Sequence, residues 1–121
     1  MPSRERVQDF IALVERSEYV QAIQKFYADD ATMQENNHPP RIGREALVKH
    51  ELSVIAAFKE VRTLPVESFL VDGDNVVINW VFEFVAKDGR KFRMDELAHQ
   101  VWRGDKIIRE RFYYDPARQE A

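Results

Sequence analysis

The chain has no cysteine. That excludes disulfide pinning, a thiolate nucleophile and cysteine-held zinc. No stretch approaches the ~18 apolar residues of a membrane-spanning helix. The opening MPSRERVQDF carries no apolar run, so no secretory leader is expected. The four glycines form no phosphate-cradling loop, and the histidines show neither HxH nor HExxH spacing. Ser3, Ser17, Ser53 and Ser68 lie in no nucleophile elbow. An excess of basic charge is missing too: the formal net charge is −3, which argues against nucleic acid or an anionic membrane as partner. There is no internal repeat and no low-complexity segment. The expectation is a soluble, cytoplasmic protein that needs no cofactor and no metal.

What is present is ordinary in bulk and unusual in placement. A chain of 121 residues predicts one domain, 1–121, with a core of its own. Hydrophobic residues make up 45% and charged residues 32%, a soluble balance. Aromatics reach 12%, eight of them Phe, which suits a filled core or an apolar cavity equally.

Val7, Phe10, Ile11 and Val14 recur at helical spacing over residues 4–16, with Ser3 as N-cap. Tyr19, Ala22, Ile23 and Phe26 repeat the pattern. ADDATMQEN then alternates as a short strand, with Met33 and Glu35 on one face. NHPPRIG reads as an irregular loop. A third helix is expected from Gly43 or Arg44 to about Phe58. Strands follow at about 63–71, at VVINWVFEFVA, at RKFRMDELAHQVW and at IIRERFYYD, parted by DGDN, KDG and RGDK turns. Helices first and a meander after predict an α+β fold, with helices covering a curved antiparallel sheet. The tail ARQEA is expected to fray.

Polar residues intrude on apolar faces in two places. On the third helix, Glu51 falls mid-stripe among Leu47, Val54, Ile55 and Phe58, with His50 at the edge. Either Glu51 lines a cavity or the helix turns it outward to snorkel. On the strand at 90–102, Glu96 and Gln100 share a face with Phe92, Met94, Ala98 and Trp102. The last hairpin is ambiguous. A two-residue turn pairs Gln100 with Arg109, whereas a bulged loop pairs Gln100 with Glu110. The strand at 76–85 is apolar on both faces. That predicts a homodimer through the outer sheet face, with Trp80, Phe82, Phe84, Leu97 and Val101 central and His99, Arg109, Arg111 and Tyr113 around them.

The run FYADDATMQEN, a helix after RIG, and a meander closing on W.G.KI...RFYYD resemble the nuclear transport factor 2-like superfamily, in its SnoaL-like and ketosteroid isomerase-like branch. The resemblance covers nearly the whole chain. It implies a cone-shaped α+β roll enclosing a pocket, commonly dimeric through the outer sheet face. In ketosteroid isomerase-like members an Asp shortly after ADDAT is the general base, and Glu35 stands at that position. Their oxyanion-hole Tyr and protonated Asp match Phe10 and Ala98 here, neither of which can donate. Glu51 matches a pocket Tyr. The same matching places Asn79, Glu83, Glu96, Gln100, Trp102, Glu110, Phe112 and Tyr114 on the concave side and favours the bulged hairpin.

Several carboxylates sharing an apolar pocket cannot all stay ionised without partners, so at least one pKa should rise. That is what a general acid at neutral pH requires. Glu35, Glu96 and Glu110 are the candidate catalytic groups. Glu51, Asn79, Gln100, Trp102, Phe112 and Tyr114 are the candidate ligand contacts, for a small organic molecule. The implied chemistry is isomerisation, cyclisation, or loss or addition of water. The competing readings are a ligand-binding or dimerisation domain without activity, glutamates paired structurally with Arg41, Arg62, Arg109 or Arg111, and a weak carboxylate–histidine metal site at His38 or His50.

Overall fold

The computed structural model describes residues 1–117 and the backbone of 119–120. Helix α1 spans Arg4–Glu15, and Ser3 caps it by accepting the Arg6 amide at 3.0 Å. Helix α2 spans Tyr19–Phe26. Every apolar residue expected to face inward from these two helices is buried. Strand β1, Tyr27–Glu35, leaves α2 without a loop and pairs with the short β2, Arg41–Ile42. Gly43, at φ +95°, turns the chain from β2 into α3, Arg44–Ala57. A Cβ is strained in that conformation.

Strands β3 (Glu60–Thr63), β4 (Phe69–Asp72), β5 (Asn75–Val85), β6 (Lys91–Arg103), β7 (Lys106–Tyr113) and β8 (Gln119–Glu120) complete the chain. The expected single strand over 63–71 is thus two short ones. Pro65 lies between them, and a proline cannot donate to a ladder. The sheet order is β2-β1-β7-β6-β5-β3, with β4 also on β5 and β8 also on β6. The meander is antiparallel, as its turns predict, but β1 joins β7 in parallel. The result is α+β: three helices against a curved, mixed sheet that does not close. The tail's Gln119–Glu120 pairs with Phe92 and Arg93 rather than fraying, and residues 118 and 121 lie outside the described residues. Among the described residues no helix is long and apolar enough to cross a membrane.

Two expectations need correction. Trp80, Phe82 and Phe84 do not form an outer apolar face. Trp80 lies opposite Glu96 and Ile78 opposite Ala98, so these even-numbered residues of β5 share the inner face of β6. Trp80 is buried, and Phe82 and Phe84 border the internal cavity. Asn79 and Glu83 therefore leave the concave side. Asn79 is paired with Leu97 and donates to Asp95 Oδ1 at 2.7 Å and the Glu96 carbonyl at 3.1 Å. On α3 only Leu47 is buried, and Ile55 is exposed. The helix lies over the cavity rather than on solid core, so its Glu51, Val54 and Phe58 meet open space.

Candidate functional site

The helices and the inner sheet face line an open-mouthed cavity of about 490 Å³, within the range of small-molecule sites. Its walls are largely aromatic and aliphatic: Phe10, Tyr19, Phe58, Trp80, Phe82, Phe84 and Phe112. Phe10 is a packing hub as well. Its ring lies edge-on to Phe26 at 5.4 Å, Tyr27 at 6.0 Å, Trp80 at 6.1 Å and Trp102 at 6.4 Å. Ala98 is fully buried.

Four glutamates line this space, Glu35, Glu51, Glu96 and Glu110, with Asp95 and Asp115 also on its border. The hairpin puts Glu110 there. Gly104-Asp105 make a two-residue turn, but the register slips between Val101 and Trp102. Trp102 faces Ile107, Val101 faces Arg109 and Gln100 faces Glu110, leaving Ile108 as the extra residue. Tight turn and bulge thus coexist, and the pairing is the one the bulge predicts.

Glu35, at the end of β1, is held by two neighbours. Arg41 forms a short ion pair with its Oε2, and the Tyr114 hydroxyl donates to Oε1 at 2.8 Å. His50 Nε2 lies 3.9 Å from the same carboxylate. Burial pushes the Glu35 pKa up, but the bonds from Arg41 and Tyr114 and the nearby positive charge outweigh it, and the net direction is down. Burial and the Arg41 charge, against the pull of Glu35, lower His50, which favours its neutral form. Burial and Glu35 push Tyr114 up to about 12.

Glu96 is the opposite case. It is 6% exposed. Burial, then the charges of Glu110, Glu35 and Glu51, raise it to about 8. That favours the neutral acid at pH 7. Glu51 is raised too, by burial and by Glu35, with Arg41 opposing. Glu110 is 1% exposed. Burial lifts it to about 7 against bonds from Tyr27 and Gln100.

Of the residues expected in the site, Glu35, Glu51, Glu96, Glu110, Phe112 and Tyr114 do converge. Gln100 and Trp102 stand behind the wall. Gln100 donates to Glu110 Oε2 at 2.7 Å, and the Trp102 indole donates to Gln100 Oε1 at 3.0 Å. Asn79 is on the far face. Arg109 and Arg111 are paired with Val101 and His99 on that outer face, and Arg62 sits beside Glu60 and Glu83. Of the four candidate arginines, Arg41 alone partners a cavity glutamate. Tyr27, whose hydroxyl makes a short bond to Glu110, is not foreseen by the sequence pattern. It sits at a helix–strand junction, where neither period assigns it a face. Among the described residues no group of three or more His, Asp or Glu is placed to hold a metal.

No curated protein matches the chain at a significant level. Solved structures do. A SnoaL-like protein of Mesorhizobium loti, whose assignment as a polyketide cyclase is provisional, is 26% identical over 94% of this chain and 100% of its own, with a TM-score of 0.77. A protein of Catenulispora acidiphila with a ketosteroid isomerase-like fold, solved with trimethylamine, is 21% identical over 95% and 88%, with a TM-score of 0.78. A nuclear transport factor 2-like protein of unknown function from Burkholderia pseudomallei is 13% identical over 92% and 88%, with a TM-score of 0.78. The model of the SnoaL-like domain matches residues 7–110. The chain therefore belongs to the SnoaL-like domain family.

Proposed function

We propose that the protein is a cofactor-independent acid–base catalyst acting on a small, largely apolar organic molecule. One observation carries the reading: a single apolar cavity holds two carboxyls driven in opposite directions, Glu35 down and Glu96 up to about 8. Separated pKa values in one site are the arrangement that divides labour between base and acid. Glu35, ionised and aimed by Arg41 and Tyr114, takes a proton from the bound molecule. Glu96, neutral at pH 7, gives one to the oxygen on which charge develops. Glu35 then returns its proton to another carbon while Glu96 takes its own back from the oxygen, which completes an isomerisation; if Glu35 gives its proton to a leaving hydroxyl instead, and Glu96 again recovers its own as the carbonyl re-forms, the outcome is a dehydration. The apolar walls keep bulk water from competing and strengthen each charge–dipole contact. The test is solvent-deuterium incorporation into a panel of enolisable ketones. Exchange catalysed by the wild type and abolished in Glu35→Gln and Glu96→Gln supports the reading; equal exchange in the variants contradicts it.

The ion pair with Arg41 favours a second reading, a binding domain without turnover, because a carboxylate held by a cation is a weaker base. Tight retention of a small molecule with no exchange in any tested ketone would select it. We also propose that two copies pair through the outer sheet face. Leu97 is 47% and Tyr113 45% exposed there. Val101, beside Arg109 in the register, continues that face.

A further inference from the structure

Tyr27 and Glu110 share the cavity wall and have a polar chain behind them that the Glu35–Glu96 pair does not use. The Tyr27 hydroxyl donates to Glu110 Oε1, the Gln100 amide donates to Oε2 at 2.7 Å, and the Trp102 indole donates to Gln100 Oε1 at 3.0 Å. The order of these bonds is forced from the buried end. An indole N–H can only donate, so it fixes Gln100 Oε1 as an acceptor and turns the amide nitrogen to Glu110. Glu110 Oε2 must then accept in either protonation state.

The consequence falls on Tyr27. When Glu110 is ionised, the single hydroxyl proton of Tyr27 is engaged by Oε1. When Glu110 takes up a proton, Oε1 is its favoured seat, because Oε2 already accepts from Gln100 and the Tyr27 oxygen faces Oε1. The phenolic oxygen then accepts, and the hydroxyl proton of Tyr27 turns toward the cavity. We propose that Tyr27 and Glu110 form a second polar subsite, donating a hydrogen bond to an uncharged carbonyl or hydroxyl oxygen of the occupant when Glu110 is neutral and withholding it when Glu110 is ionised.

The surroundings place this exchange in an accessible range. Burial, with smaller contributions from Glu51 on α3 and Glu35 on β1, raises Glu110 to about 7 against the bonds from Tyr27 and Gln100. Glu96 on β6 shares the cavity, with Arg41 on β2 and His50 on α3 beside Glu35. From α1 the neighbour is the apolar Phe10. Tyr27 itself stays protonated, because burial and then Glu110 hold its pKa well above the ordinary value. The inference does not depend on Glu35 acting as a base.

The test needs no known substrate. In protein labelled with carbon-13 tyrosine and nitrogen-15 tryptophan, the Tyr27 Cζ and Trp102 indole signals should move together, with one inflection near the about 7 of Glu110. Glu110→Gln should flatten both and leave Tyr27 at its low-pH position, because the amide nitrogen supplies the donor that the neutral acid supplies. Tyr27→Phe should move the Trp102 inflection up by ~1 unit, since one bond to the carboxylate is lost. Saturating acetophenone should displace the Tyr27 signal below the inflection and not above it. Flat wild-type signals, an inflection that survives Glu110→Gln, or no acetophenone response at low pH would overturn the proposal. If Glu110→Gln does not fold, the direction of the Tyr27→Phe shift decides alone. Turnover lost in Glu35→Gln bears on the catalytic reading and leaves this one untouched.

Discussion

Glu96 and Glu35 differ by what surrounds them, and the difference has opposite signs in stability. Glu96 keeps its proton in the fold up to about 8, whereas the unfolded chain releases it near 4.5. Its contribution is complete below the unfolded value and is lost as pH rises through about 8. Glu35, lowered in the fold, contributes above its ordinary value and loses that contribution as pH falls. Glu96→Gln should therefore be more stable than wild type at ~pH 9, by ~1 kcal/mol or more, and flatten the decline from ~pH 5 upward. Urea midpoints across that range measure it; a variant less stable at the alkaline end contradicts it. Tyr114→Phe removes the 2.8 Å bond to Glu35. It should cost ~1 kcal/mol and move the acidic limb of any pH–rate profile to higher pH. The glutamates were legible in the sequence because a carboxylate breaks an apolar stripe visibly, at Glu51 among Leu47 and Val54 and at Glu96 between Met94 and Ala98. Tyr27 was not, because a tyrosine offends neither an apolar nor a polar face, and only the fold shows that its hydroxyl meets Glu110.

Elements set which of these residues can meet. Strand β6 alternates cleanly, and its faces are as its sequence predicts. Strand β5 has large apolar residues on both faces, so its inner face is decided by pairing: Trp80 sits opposite Glu96. That pairing removes Asn79 from the site and Trp80 from the surface. The bulge at Ile108 was open for a similar reason, since turn chemistry at Gly104-Asp105 fits either register. Without an extra residue Arg109 would oppose Gln100, placing a guanidinium where Glu110 now lies. Deleting Ile108 should keep the present pairing of Gln100 with Glu110, because it restores regular alternation. The partly buried Ile108 packs on the core, and its loss should cost ~1–2 kcal/mol. A folded deletion variant whose Trp102 indole signal still titrates with Glu110 is the expected result; a variant whose indole signal no longer responds contradicts it.

At the scale of the molecule, the fold keeps a cavity where other small domains place a dry core, and it closes that cavity with α3 rather than with sheet. The outer face of the sheet exposes Leu97 and Tyr113. If two copies meet there, Leu97→Asp should convert a dimer of about twice 14.3 kDa into a monomer by light scattering, with the far-ultraviolet spectrum unchanged. A wild type that is already monomeric at micromolar concentration ends that proposal. The cavity itself rests on one claim, that its carboxyls are split between an ionised Glu35 and a neutral Glu96. A carbon-13 titration of the glutamate carboxyls, assigned with Glu35→Gln and Glu96→Gln, tests it most directly. The expected result is a Glu96 inflection near 8 and a Glu35 inflection below 4.5; Glu96 titrating at or below Glu35 would contradict it.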